Sequence, residues 1–215
     1  MIRSIGRICI YRRLLAEMDR RGQRQVYSHE LARLAQTTPA QVRRDLMNVS
    51  GMGTPSKGYS VPDMLDSLDG YLDAGHCEPI VLVGIGYLGR ALLGHFAGRH
   101  PKLHITAAFD IDSEKTGGMI HGCPCYHLQQ LGEITRDRNI HLGIIAVPAN
   151  TAQQVAEKMI ECGIRAILNF SPERLNLPAN IYVEDIDVTV AIERMAFFAR
   201  QKNTQNKRNM NHAGS

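Results

Sequence analysis

Gly84-Ile85-Gly86-Tyr87-Leu88-Gly89 is a G-x-G-x-x-G run. It follows a continuous apolar stretch, Ile80 to Val83, and opens a segment from Leu88 to Phe96 with helical patterning. Asp110 stands 21 residues beyond Gly89, at the end of a second apolar stretch, Ile105 to Phe109. A strand, a glycine turn, a helix, and an acid closing the next strand form the setting in which this pattern binds a dinucleotide. Gly84 makes the tight turn. Gly86 lets the backbone approach a pyrophosphate, and Gly89 lets helix and strand pack closely. The phosphates are expected at the helix N-terminus, where unpaired N–H groups and the helix dipole favour anions, so Ile85, Tyr87 and Leu88 join the expected site. Asp110 is placed to accept hydrogen bonds from the adenosine ribose hydroxyls and to repel a 2′-phosphate. That favours NADH and NAD+ over their phosphorylated forms. Coenzyme A held by the same turn is the rival ligand. Val147, Pro148 and Ala149 follow a later strand, where the nicotinamide half is expected to lie.

A second set of residues points to different chemistry. Gln41, Arg44 and Asn48 are spaced to share one helix face, with Arg43 beside them. Arginine matches guanine through two hydrogen bonds, and Gln or Asn matches adenine. Arg12, Lys57 and Tyr59 are expected to add contacts to a nucleic-acid backbone. The charge distribution agrees. Residues 1–60 hold 11 Lys and Arg against 4 Asp and Glu, whereas residues 61–202 hold 12 against 17. A basic head on an acidic body suits a polyanionic partner, with affinity that falls as salt rises.

Helices are expected to position the head residues. Ile8, Leu15 and Met18 mark the apolar face of a first helix, and Gly22 falls near its end. Ser28 is the expected N-cap of a second helix carrying Leu31, Leu34 and Ala35. Thr38-Pro39-Ala40-Gln41 reads as a capping box opening a third, with Val42, Leu46 and Val49 facing inward. The turn-rich stretch from Ser50 to Tyr59 suits a β-hairpin wing with Lys57 near its tip. Asp63 to Asp73 reads as an acidic helical connector. From Pro79 onward strands and helices alternate, which predicts a doubly wound parallel sheet. The last helix, from Asp187 to about Lys202, carries Val188, Ile192, Met195, Phe198 and Ala199 after the sheet is complete, so a partner subunit is expected to cover it.

The fold class expected is therefore α/β. A winged-helix DNA-binding head spans 1–77 and a Rossmann doubly wound parallel sheet spans 78–185. A C-terminal dimerisation helix spans 186–202, and the polar tail 203–215 is expected to be disordered.

Other chemistry finds little support. No apolar run approaches the ~20 residues of a membrane span. The first ten residues, with Arg3 and Arg7 among isolated apolar residues, do not read as a signal peptide. The five cysteines fit a reducing cytoplasm without disulfides. Cys123-Pro124-Cys125, with His121 and His127 nearby, is read as small apolar packing rather than a metal or thiol site, and no metal is expected. An oxidoreductase needs an acid or base beside the nicotinamide. The loops Val147 to Thr151 and Phe170 to Pro172 offer Asn and Ser but no His, Lys or Tyr. A small NAD-dependent oxidoreductase or a coenzyme A-binding protein is the competing function.

The chain resembles the Rex family of redox-sensing transcriptional repressors from about Arg7 to Phe198. The resemblance rests on Thr38 to Leu46, Gly58-Tyr59, Gly84 to Arg90, Ala107 to Asp110, Ala146 to Ala149, Ala166 to Phe170 and Val183 to Asp187. It departs from the family pattern at Met47 to Ser50 and at Thr54-Pro55. The resemblance implies a homodimer that exchanges its C-terminal helices. It implies that NADH closes the dimer and releases a palindromic double-stranded operator, while NAD+ leaves the bound form in place. It also implies that Arg13 and Asp187 change partners between the two states.

Overall fold

The computed structural model describes residues 2–50, 58–72, 77–98 and 103–212. The chain divides into two compact units, Met1–His76 and Cys77–Ser215.

The first unit contains helix α1 (Ile2–Arg20), strand β1 (Gln25–Val26), α2 (Ser28–Leu34), α3 (Pro39–Ser50), β2 (Tyr59–Ser60) and α4 (Val61–Tyr71). Its core gathers Ile8, Tyr11, Leu15, Leu31, Val42, Leu46, Met64 and Leu68, one apolar stripe from each helix. Leu34, expected on the same stripe, is exposed instead. Between α2 and α3 lies the short break of a helix-turn-helix. β1 pairs antiparallel with β2, Val26 opposite Tyr59. Two-residue β1 gave no periodicity to read. The expected hairpin tip, including Lys57 and Thr54-Pro55, lies outside the described residues.

Three local expectations change. Ser28 is the first residue of α2, not its cap; Tyr27 is the N-cap, and its N–H donates to Glu30 (2.9 Å). The Thr38 box is half formed: Thr38 accepts from the Gln41 N–H (3.2 Å), but the Gln41 side chain turns to Asp45. α4 is no connector, because Val61, Met64 and Leu68 are buried in the head core. It begins at Ser60, whose hydroxyl accepts from the Asp63 N–H.

The second unit is a seven-stranded sheet in the order β5-β6-β4-β3-β7-β8-β9. The strands are β3 (Glu78–Val83), β4 (Leu103–Asp110), β5 (Met119–Ile120), β6 (Cys123–His127), β7 (Leu142–Ile145), β8 (Ala166–Asn169) and β9 (Tyr182–Asp185). Between them come α5 (Tyr87–Phe96), α6 (Leu131–Asp137) and α7 (Ala149–Glu161). All neighbouring strands run parallel except the β5–β6 hairpin, which the alternating pattern alone did not announce. β3 has β4 on one side and β7 on the other. The winding reverses there, which opens a crevice at the carboxyl ends of the strands. Two apolar clusters fill the sheet's faces, one around Val81, Phe109, Ile145 and Met159 and one around Leu82, Ala108 and Ile144. Alternation along each strand sends neighbouring residues to opposite faces.

Cys123 and Cys125 belong to the second cluster. Burial pushes the Cys123 thiol up to about 12 and raises that of Cys125, so both are poor nucleophiles. The last helix, α8, runs from Val188 to His212. The helix therefore continues through most of the segment expected to be disordered. That segment holds good helix formers, Gln205, Lys207, Arg208 and Met210, and no Gly or Pro before Gly214. Among the described residues no helix is long and apolar enough to cross a membrane.

Candidate functional site

The turn between β3 and α5 depends on its glycines. Gly84 has φ +103°, and a Cβ there would stand 2.4 Å from the Ala146 carbonyl oxygen. A Cβ on Gly89 would stand 1.9 Å from the Gly84 carbonyl oxygen. No side chain fits at either position. Gly86 differs, since a Cβ there would meet nothing within 4 Å. It faces open space at the N-cap of α5, where a pyrophosphate can approach the helix N-terminus.

Beside this turn lies a cleft of about 740 Å³. Gly84, Gly86, Asp110, Val147 and Pro148 line it, from the ends of β3, β4 and β7. Asp110 is buried, and its carboxylate accepts from the Ile85 N–H (2.8 Å) and the Asp112 N–H (3.0 Å). These bonds tie the glycine turn to the end of β4 and leave carboxylate lone pairs for a ribose. The wall where the nicotinamide half is expected, Ala146, Val147 and Pro148, is apolar. These residues fit a dinucleotide, with open space at Gly86 and an acid at the end of β4.

Four expected residues sit differently. The Ile85 side chain is in the core, so only its main chain reaches the site. Tyr87 is 99% exposed and Leu88 is half exposed; neither lines the cleft. The reason is the helix's own geometry, since both point outward from the first turn of α5. Ala149 is the first residue of α7 and also stands off the lining. In exchange the cleft is lined by residues that motif spacing did not reveal: Asp112, Lys115, Asn150, Thr151 and Lys158. Lys115 lies 3.1 Å from Asp112 and 3.7 Å from Asp110.

Of the face expected to read DNA, fewer residues are freely exposed than their spacing predicts. Arg44 and Asn48 of α3 are exposed, with Met47 between them. Gln41 is held by Asp45 (2.9 Å), and Arg43 donates to the Ser28 hydroxyl (3.2 Å), which staples α3 to α2. Arg12 is paired with Asp69 of α4. Tyr59 is only 4% exposed, because its place opposite Val26 turns its ring into the core. Arg12 and Tyr59 are thus building parts of the head. Asp45 is the residue that periodicity missed. It is 2% exposed and sits on the buried stripe between Val42 and Leu46. Arg7 grips it through two bonds (2.6 and 2.9 Å), and the Tyr11 hydroxyl adds a third (3.1 Å). Burial pushes the Asp45 carboxyl up, yet bonds from Arg7, Gln41 and Tyr11 outweigh it and hold it below the ordinary range. A charged residue on an apolar stripe was the signal for this cluster.

Arg13 is exposed on α1. Asp187 caps α8, accepting from the Val190 N–H (2.9 Å). Among the described residues no group of three or more His, Cys, Asp or Glu is placed to hold a metal ion.

Known proteins match both units. Residues 3–46 match a family model described as "Putative DNA-binding protein N-terminus", and residues 78–173 match one described as "CoA binding domain". The redox-sensing transcriptional repressor Rex of Carboxydothermus hydrogenoformans is 36% identical over 92% of this chain and 95% of its own. The chain belongs to the Rex family of redox-sensing transcriptional repressors. The Listeria monocytogenes member is 33% identical over 89% of each chain. Among solved structures, RSP, a Rex-family repressor, matches with TM-score 0.84 at 24% identity, covering 96% of this chain and 97% of its own. That likeness shows a shared fold, a helical N-terminal unit followed by a Rossmann-like, mostly parallel sheet. RSP has also been solved with β-NADH, and with β-NAD+ and operator DNA, each at TM-score 0.85.

Proposed function

We propose that this Rex-family chain acts as a cytoplasmic homodimer that holds a palindromic operator and lets it go when NADH fills the cleft. The observation that carries this reading is the pairing of an open Gly86 turn with a buried acid at the end of β4. Gly86 admits the pyrophosphate. Asp110 receives the ribose hydroxyls. It also disfavours coenzyme A, whose ribose carries a 3′-phosphate. Solved complexes of RSP with NADH and with NAD+ plus operator support the same assignment.

NADH and NAD+ differ only at the nicotinamide ring, so the ring must supply the difference in affinity between two dimer states. An uncharged dihydronicotinamide suits the apolar wall of Ala146, Val147 and Pro148. The cationic ring of NAD+ is costly to strip of water there. In the head, Arg44 and Asn48 read base edges. Arg43 supports them from its bond to Ser28, and Gln41 does so from its bond to Asp45. Lys57, outside the described residues, adds a positive charge for the DNA backbone. Tyr87 and Leu88 present an exposed first turn beside the phosphate seat.

The dimer forms by exchange of α8. Its Val188, Ile192, Met195 and Phe198 are all more than half exposed in the single chain. Arg13 and Asp187 exchange ion-pair partners as the dimer closes. The role is regulatory rather than enzymatic, as the Rex relatives, named transcriptional repressors, support.

The test is fluorescence anisotropy of a labelled fragment from the gene's own promoter region. Micromolar NADH should release the protein, NAD+ should do so far less, and NADPH should not. A complex indifferent to all three would contradict the reading.

A further inference from the structure

The ribose end of the cleft carries three charged side chains. Asp110 and Asp112 contribute two negative charges, and Lys115 contributes one positive charge. The ammonium group lies 3.7 Å from an Asp110 carboxylate oxygen and 3.1 Å from one of Asp112. All three line the cleft. Lys115 is held by a 3-10 turn, Ser113–Lys115, that Asp112 caps by accepting from the Glu114 N–H (3.0 Å). So the cation is built into the site. A lysine in this position is not needed to bind ribose hydroxyls, which Asp110 serves by itself. It is, however, the group that meets a ribose phosphate.

We propose that Lys115 is the second determinant of which nicotinamide dinucleotide this cleft accepts. With both acids present it only reduces a net negative field, and a 2′-phosphate is refused. With one acid neutralised, Lys115 becomes the seat of that phosphate. This rests on the dinucleotide reading above. The net charge of the three groups is −2 without Lys115, −1 in the native chain, 0 without the Asp110 charge, and +1 without both acidic charges. A 2′-phosphate carries between one and two negative charges near pH 7, so its acceptance should climb in that order. Arg90 of α5 also acts on Lys115 through its charge and stays constant throughout.

The experiment compares NADH and NADPH binding to the full chain by nicotinamide fluorescence, which reports both ligands alike. The readout is the ratio of the NADPH to the NADH dissociation constant. Asp110→Asn should lower that ratio about tenfold or more, equivalent to about 1.4 kcal/mol. Adding Lys115→Met to Asp110→Asn should return it to the native value or above. Should Asp110→Asn disturb the turn through Ile85, Asp112→Asn with and without Lys115→Met gives the same comparison. A ratio that Lys115→Met leaves unchanged in both backgrounds overturns the proposal while the NADH reading stands. A native chain that binds no NADH overturns both.

Discussion

Asp45 accepts bonds from Arg7, Tyr11 and Gln41, and it joins α1 to α3. Removing it would leave the Arg7 guanidinium uncompensated against the core. Breaking one partner of a buried pair costs about 3–5 kcal/mol, and the partial exposure of Arg7 places this case near the lower bound. Asp45→Ala should lower the head's unfolding free energy by about 3 kcal/mol in urea melts followed by circular dichroism. The carboxyl is held below its ordinary value, so its contribution is complete above the usual carboxylate range near pH 4. It is lost as pH falls through the lower native value. The glycines of the turn separate two effects. Gly89→Ala forces a Cβ onto the Gly84 carbonyl, so both body stability and NADH binding should fall. Gly86→Ala meets open space, so the melting temperature should hold while NADH affinity drops at least about tenfold. Equal stability losses in the two variants would contradict this distinction. The glycines and Asp110 were legible because their physical tasks demand those residue types. Lys115 was not, since its role arises from a turn that brings it back toward Asp110.

On the scale of elements, α3 shows why periodicity read its buried face well and its outer face less well. Val42 and Leu46 are buried as the apolar spacing requires. Gln41 and Arg43 looked outward by spacing, yet long polar side chains bend to partners that only the folded head supplies, Asp45 and Ser28. The freely presented arginine is Arg44. Arg44→Ala should weaken operator binding by about 1–3 kcal/mol and relax specificity at one base pair. NADH affinity should be unchanged. Operator binding at native strength in that variant would place recognition elsewhere. β1 and β5 were invisible because strands of two residues carry no pattern, whereas Cys123 and Cys125, read as small apolar packing, lie in the core on β6.

For the whole molecule, the long final helix is the feature least explained by a single chain. Met195 is 70% exposed, and Ile192 and Phe198 are exposed beside it. The sequence made this legible through an apolar stripe with no sheet left to cover. A charge at its centre, Ile192→Glu, should convert a dimer to monomers in light scattering behind size exclusion. A native chain that is monomeric at micromolar concentration would remove helix exchange from the account.

The central claim is that one cleft and one DNA face share a two-state dimer. Linkage then requires reciprocity: the factor by which NADH weakens operator binding must equal the factor by which operator weakens NADH binding. The decisive measurement is the NADH dissociation constant of the native chain with and without saturating operator. A rise that matches the anisotropy result is predicted, of the order of 5–150-fold. An NADH affinity indifferent to operator would contradict it.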